Sequence, residues 1–166
     1  MESLIQWITE FMQGVPGEFV TFFISMLPIL ELRGGLVAAA LLGVPYLTAL
    51  WISVLGNMLP VPFVLWLITP IFNWLKKGPL KGLVEKIEAR TMGKSEQIGK
   101  YEFWGLLLFV GIPLPGTGAW TGTLIASMLG ITVKKAFPAI ALGVCLAAAI
   151  MSFFTYGLPW IITTLF

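Results

Sequence analysis

The sequence predicts an all-α integral membrane protein built as an inverted repeat, and three observations lead there. First, 58% of its 166 residues are hydrophobic and only 11% are charged, whereas soluble domains carry about a quarter charged residues. Second, seven of the ten basic residues lie between Lys76 and Lys100, which by the positive-inside rule places that segment in the cytoplasm. Third, one residue pattern occurs twice, 87 positions apart. The shared positions are Pro28, Gly35, Ala39, Leu42, Gly43, Ala49, Leu55 and Gly56, repeated as Pro115, Gly122, Ala126, Leu129, Gly130, Ala136, Leu142 and Gly143.

The composition also excludes several classes of protein. The chain has no Asp and no His, and its single cysteine, Cys145, stands in an apolar run. We therefore expect no metal site, no disulfide and no cofactor. An enzyme is not expected, because an acid and base pair or an activated nucleophile cannot be assembled from these residues. Nucleotide-binding glycine motifs are absent, so ATP-driven pumping is not expected either. Nucleic acid is not expected as a partner.

The N-terminal stretch is predicted to form an amphipathic helix on the membrane surface. Ser3 and Gln6 form a capping box ahead of an apolar face. Glu2, Glu10 and Glu18 precede the first Lys or Arg, the reverse of a secretory signal, so we expect the chain to begin at Met1. With no cation in this stretch, the N-terminus is expected to lie outside.

We interpret the chain as a single membrane domain, 1–166, whose first repeat covers 14–75. Within it, 18–43 is predicted to be a re-entrant helical hairpin, because Pro28 and the charged residues that follow interrupt an apolar run. Neither arm reaches the roughly 20 residues needed to cross. A crossing helix, 46–74, follows and is bent by its prolines.

A basic cytoplasmic segment, 76–100, is predicted to contain an interfacial helix after Pro79 and to act mainly as a spacer between the repeats. The second repeat, 101–166, again has a hairpin, 103–130, and a crossing helix, 136–166, which ends outside.

Lys100 and Lys134 flank the second hairpin, so both its ends should be cytoplasmic, as a re-entrant loop requires. A unit with one crossing must then be inserted upside down the second time. We therefore expect the two hairpin tips to meet near the bilayer midplane.

Two charges are predicted to lie in the hydrocarbon: Glu31 and Arg33. Each costs at least about 2.5 to 3.5 kcal/mol there on insertion scales. A structural interpretation is a mutual salt bridge that locks the first tip. A functional interpretation gives them separate roles: Arg33 offers forked donors to a phosphate or carboxylate, and Glu31 could carry a proton, since desolvation favours its neutral form.

The second tip, Gly111–Gly122, carries no charge but could hold an anion. We expect backbone amides at Gly116, Thr117 and Gly118, the hydroxyls of Thr117 and Thr121, and the ring of Trp120 to contribute to substrate binding. The same tip could simply turn the chain. Asn57 in the first crossing helix is predicted to be either a lining residue or a polar contact between helices.

The run Leu27–Gly35 together with Gly111–Gly122 resembles the small multi-drug export protein family and, more distantly, the DedA family with its VTT domain. The DedA resemblance implies paired re-entrant hairpins, an acidic residue in the first tip and proton-linked flipping of anionic lipids such as undecaprenyl phosphate. Glu31 matches that acidic position and Pro115-Gly116 matches a Pro-Gly in the second tip. Where that family has arginines after the Pro-Gly, this chain has Thr117 and Trp120.

Three functions follow from these residues. The leading hypothesis is a secondary transporter or flippase in the cytoplasmic membrane that moves an amphipathic, anionic, lipid-phosphate-like molecule, with proton coupling through Glu31. The second is a proton-coupled exporter of small cationic drugs, with Glu31 as the counter-ion and Trp120 or Trp51 stacking on the substrate. The third is a non-transporting membrane scaffold. We expect membrane lipids as partners, and a homodimer or larger assembly that shields the hairpins from lipid.

Overall fold

The computed structural model describes residues 14–79, 81–92 and 102–165, which form helices and short turns without a strand in these ranges. The predicted helix near Ser3 lies outside them. In chain order the helices are α1 (Gly17–Met26), α2 (Glu31–Leu41), α3 (Tyr46–Met58), α4 (Pro60–Leu75), α5 (Lys81–Met92), α6 (Glu102–Gly111), α7 (Ala119–Met128), α8 (Val133–Ser152) and α9 (Leu158–Leu165), with a π-helical turn (Phe153–Gly157) between α8 and α9.

Helices α1 and α2 pack against each other and are joined by a short turn. Helix α1 ends at Met26 because Leu27, which precedes Pro28, is held in an extended conformation with ψ of 136°. The helices have 10 and 11 residues, or about 15 Å each at 1.5 Å per residue. Since the hydrocarbon core is about 30 Å thick, neither helix can cross it alone.

The predicted crossing helix 46–74 consists of two helices, α3 and α4, separated at Leu59. Pro60 occupies the first turn of α4 and has no N–H to continue the hydrogen bonds of α3. The apolar stretch Tyr46–Ile68 is nevertheless long enough to span a membrane, as is Val133–Ile162 in the second half. The interfacial segment predicted after Pro79 corresponds to α5.

Local geometry recurs 87 positions apart. Gly43 and Gly130 both follow a hairpin helix with positive φ, 70° and 67°. The next amide donates back into that helix in both places: Val44 to the Ala39 carbonyl and Ile131 to the Ala126 carbonyl, each at 2.9 Å. The two copies of the sequence pattern therefore build the same helix end. That one unit is inverted relative to the other stays a prediction.

The two units are interlocked. Helix α6 packs on α8, and α1 packs on α3, but α4 of the first unit also packs against α7 of the second. Small residues permit this close approach. Those fully buried in the core include Ala39, Ala49, Ala119, Ala126 and Ala136.

The exterior is as apolar as the interior. Exposed fractions reach 93% for Ile29, 74% for Trp66 and 72% for Trp74. A surface of large exposed hydrophobic side chains suits lipid rather than water. Together with the two long apolar helices, it identifies an integral membrane protein.

Candidate functional site

The first hairpin tip presents Glu31 at the N-terminus of α2. Its amide donates to the Leu27 carbonyl at 2.9 Å, and its φ is 52°, the only positive value for a non-glycine residue in the described ranges. Only 5% of Glu31 is exposed. The turn thus buries a carboxyl group at the tip, with its backbone in a conformation that non-glycine residues rarely adopt.

The second tip is ordered by Thr117. Its hydroxyl oxygen lies 2.9 Å from the carbonyl oxygens of both Ile112 and Leu114 and accepts from the Leu114 amide at 3.2 Å. Gly116 and Gly118 have φ of 77° and 138°, which glycine tolerates best. This folded loop leads into α7, whose first residue is Ala119.

The two tips meet through the Glu31 carboxylate. It accepts hydrogen bonds from the amides of Ala119 at 3.2 Å and Trp120 at 3.1 Å. These are orphan donors of the first turn of α7, where the helix dipole favours negative charge. A Cβ on Gly118 would overlap the carboxylate, so this close approach requires glycine.

Arg33 makes a second link between the tips. Its guanidinium donates to the Leu114 carbonyl at 2.8 Å, to the Thr117 hydroxyl at 3.1 Å and to the Ile112 carbonyl at 3.4 Å. Glu31 and Arg33 therefore each have partners on the second tip, whereas the predicted salt-bridge interpretation paired them with each other.

Trp120 completes the contact from the other side. Its indole Nε1 donates to the carbonyl of Met26, the last residue of α1, at 3.1 Å. Beside it lies a cavity of about 710 Å³, bounded by apolar side chains and Trp120. The lining residues are Val15, Val20, Phe23, Ile24, Met26, Leu27, Pro28 and Trp120.

The structure brings five of the predicted site residues together: Glu31, Arg33, Thr117, Gly118 and Trp120. Gly116 lies in the same tip and is exposed, and Thr121 is half-buried in the first turn of α7. Asn57 is 2% exposed on α3, and its Oδ1 has no hydrogen-bond partner in the described part of the chain.

The amides that hold the Glu31 carboxylate are not the three predicted to bind substrate, and substrate binding at those three stays a prediction. We expected donors at Gly116, Thr117 and Gly118, but the Thr117 amide donates to the Leu114 carbonyl at 3.2 Å. The donors to the carboxylate are the amides of Ala119 and Trp120, the next two residues along the chain. The reason is that α7 starts only at Ala119, so its free amides begin there.

Sequence reasoning missed the backbone contributors, namely the Ala119 amide and the carbonyls of Met26, Ile112 and Leu114. One signal was available: position 118 is the repeat equivalent of position 31, at a spacing of 87 residues. Equivalent positions at two hairpin tips are candidates to meet. The described residues contain no group of three or more acidic or cysteine side chains that could hold a metal ion.

Chemically, the tips form a closed, charge-balanced contact. One carboxylate and one guanidinium lie close to a helix N-terminus; Glu31 is buried, whereas Arg33 is only partly buried. Such an arrangement can hold an anion and can respond to loss of the carboxylate charge.

Comparison with known proteins gives one match to a family model, over residues 31–150, described as "Putative small multi-drug export protein". No curated protein and no solved structure matches. The matched range covers most of the chain and includes Glu31, Arg33 and the whole second tip. The apolar helices indicate a membrane protein, the family's description is consistent with a transporter, and the chain belongs to the small multi-drug export protein family.

Proposed function

We propose that this protein is a proton-coupled secondary transporter, or flippase, of amphipathic anionic molecules of the lipid-phosphate class. The observation that carries the proposal is the position of Glu31, whose carboxylate occupies the N-terminus of α7. That position is a ready-made anion site, which the protein fills with its own negative charge.

The ionised Glu31 carboxylate and an anionic substrate would then compete for the same donors, so that protonation of Glu31 favours substrate binding. A protonated Glu31 is a weaker acceptor for the Ala119 and Trp120 amides than the carboxylate. Once it leaves, the amides and the nearby Arg33 are available to an anionic headgroup. A cation would find no such match, because the removal of Glu31 leaves a positive site.

The apolar part of the substrate has a place beside this site. The cavity of about 710 Å³ reaches from Trp120 to the first tip at Leu27 and Pro28. Its apolar lining suits an acyl or prenyl chain. A headgroup at the tips and a chain in the cavity describe an amphipathic ligand.

The Glu31–Gly118 contact supports the inverted arrangement of the units. In a two-fold arrangement, equivalent positions meet each other on the axis. Positions 31 and 118 are equivalent in the repeat and touch at the tips. An axis in the membrane plane would let the tips open alternately toward the two leaflets.

The test is flux through the purified protein in liposomes with a pH gradient, using a fluorescent lipid phosphate and a quaternary ammonium dye as probes. We expect the wild type to move the lipid phosphate in preference to the dye. Glu31→Gln and Arg33→Ala should remain folded and lose this flux, because one cannot exchange a proton and the other cannot hold the anion.

Glu102→Gln is the matched control, since it removes a half-exposed carboxylate on α6 that pairs with Lys135 at the surface and should leave flux unchanged. Preference for the dye would support a cationic-drug exporter, and absence of any substrate-dependent flux would support a scaffold. Loss of folded protein in both tip variants would assign the two charges to structure instead.

A further inference from the structure

A column of buried polar side chains runs through the first unit. Thr21 and Ser25 of α1 and Ser53 of α3 are 0% exposed, and Asn57 of α3 is 2% exposed. The Thr21 hydroxyl donates to the Gly17 carbonyl at 2.8 Å, and the Ser25 hydroxyl donates to the Thr21 carbonyl at 2.7 Å. Polar side chains in an otherwise apolar interior call for an explanation.

The column reaches the level of Glu31. Ser25 and Ser53 both face Gly35 of α2, where an added Cβ would overlap the Ser25 hydroxyl and lie 3.1 Å from that of Ser53. Asn57 is one turn after Ser53, and Glu31 is one turn before Gly35. Because α2 and α3 are antiparallel neighbours, these two steps lead in the same direction.

The other end of the column lies at the base of the first hairpin. Thr21 is one turn before Ser25, and Gly17 begins α1 one turn earlier. An added Cβ on Gly17 would lie 2.9 Å from Val44, next to the exposed turn at Gly43. The polar groups therefore extend from the hairpin base to its tip.

The second unit makes the same packing with apolar side chains at the matching positions. Val110 faces Gly122 and Gly143 just as Ser25 faces Gly35 and Gly56. The positions that correspond to the column are apolar and at most 1% exposed: Leu106, Val110, Ile140 and Val144. Packing alone therefore does not require polar residues at these positions.

Two members of the column lack partners. Ser53 Oγ and Asn57 Oδ1 are buried and form no hydrogen bond with any other described group. Buried polar groups of this kind are commonly satisfied by bound water. Ser53 and Asn57 are one turn apart on the same face of α3, so the water they would hold lies along the column.

We propose that Thr21, Ser25, Ser53 and Asn57 hold a chain of water molecules that conducts protons between the base of the first hairpin and Glu31. The inference rests on the proposed proton exchange at Glu31. A hydronium ion at the end of the chain gives its proton to the carboxylate, leaving water and a neutral carboxylic acid, and the reverse step releases it.

Few other charges act on this end of the chain. Arg33 shares the tip with Glu31, and α7 carries no ionisable side chain. The other elements that pack on α2 and α7 also carry ionisable side chains, but none of these forms a described hydrogen bond or ion pair with Glu31. They are Glu18 and Tyr46 at the starts of α1 and α3, Lys134, Lys135 and Cys145 of α8, Tyr156 of the π-helical turn, Glu102 of α6, the Lys76 and Lys77 that follow α4, and the basic and acidic residues of α5.

Silver-ion accessibility tests hydration without relying on transport. Single-cysteine variants Ser25→Cys, Ser53→Cys and Asn57→Cys, in a Cys145→Ser background and in liposomes, are exposed to Ag⁺, and the thiols that remain free are counted afterwards. We expect at least tenfold faster reaction at these positions than in Val110→Cys, the matched apolar position of the second unit. Equal rates at all four positions, or no reaction at positions 53 and 57, would overturn the proposal.

Conduction needs a second measurement in the same liposomes. Ser53→Ala and Asn57→Leu are expected to slow pH-driven flux of the lipid phosphate at least fivefold. Ser152→Ala, which also removes a buried hydroxyl without a described partner, should not slow it. If the thiols react but flux is unchanged in Ser53→Ala and Asn57→Leu, the column is hydrated but does not conduct protons, and the proposal is overturned. A wild type without pH-driven flux would instead refute the proposed function, a separate outcome.

Discussion

At the scale of single residues, Gly118 determines whether the tips can meet. Its φ of 138° and ψ of −175° fall in a region that is essentially restricted to glycine. The space where its side chain would be is filled by the Glu31 carboxylate. Backbone conformation and packing thus impose the same choice of residue.

Gly118→Ala should therefore destabilise the fold by about 3 kcal/mol or more, since backbone strain of about 1 to 3 kcal/mol adds to the overlap. Gly130→Ala separates the two effects, because Gly130 also has positive φ but open space around it. It should cost about 1 to 2 kcal/mol. Thermal unfolding in detergent measures both, and equal losses would contradict the overlap.

The candidate residues that meet at the two tips could be named from the sequence, but their contacts could not. A carboxylate and a guanidinium in an apolar run are conspicuous, and so is a Pro-Gly loop. The partners of Glu31 are backbone amides nearly ninety positions away, and backbone amides have no sequence signature. Their availability depends on α7 starting at Ala119 and not one residue earlier.

At the scale of elements, each hairpin packs on its long helix through a glycine. An added Cβ would lie 2.7 Å from the Phe22 carbonyl oxygen at Gly56 and 2.8 Å from the Leu107 carbonyl oxygen at Gly143. Backbone cannot move aside as a flexible side chain can. Helices α1 and α3 are therefore in contact at one defined height, and so are α6 and α8.

Gly56→Ala and Gly143→Ala should each destabilise the protein by about 1 to 3 kcal/mol, the usual cost of overpacking. Gly82→Ala within α5 has no neighbour within 4 Å and should be neutral or slightly stabilising, because alanine favours helix. Comparison of the three midpoints of thermal unfolding tests this, and a neutral Gly56→Ala would show that α1 and α3 can separate at no cost.

The presence of the helices could be predicted from the apolar runs in the sequence, but the positions at which they break could not. The stretch 46–74 is mostly apolar and carries no charge, and its three prolines mark it as bent without showing which one interrupts the helix. The structure has the break at Pro60, whereas Pro70 stands inside α4. A proline in the first turn of a helix is tolerated and one in the interior kinks it, so the outcome depends on where the helix starts.

At the scale of the whole molecule, the two ends of the second hairpin lie close together. Glu102, the first residue of α6, and Lys135, in the first turn of α8, form an ion pair at 3.6 Å. Such an exposed pair contributes little stability, but its geometry brings the two ends of the second hairpin together. Any helical hairpin has its two ends together, so the re-entrant insertion of this one stays a prediction.

Labelling of equivalent positions would test the inversion of the units. Leu42 and Leu129 are repeat equivalents at the bases of the two hairpins, exposed by 43% and 39%. In a Cys145→Ser background, we expect a membrane-impermeant maleimide to label Leu42→Cys from outside and Leu129→Cys from the cytoplasmic side. Lys81→Cys, in the basic segment, serves as the cytoplasmic marker. Labelling of both hairpin bases from one side would refute the inversion.

The unusual backbone of Glu31 has a consequence for how the assembled molecule opens. A left-handed conformation at a residue other than glycine costs about 1 to 2 kcal/mol, and here it is maintained by the hydrogen bonds to Ala119 and Trp120. When those bonds break, the chain at position 31 can relax and recover that energy. If the two tips separate as proposed, relaxation of this one backbone torsion would offset about 1 to 2 kcal/mol of the cost of separation.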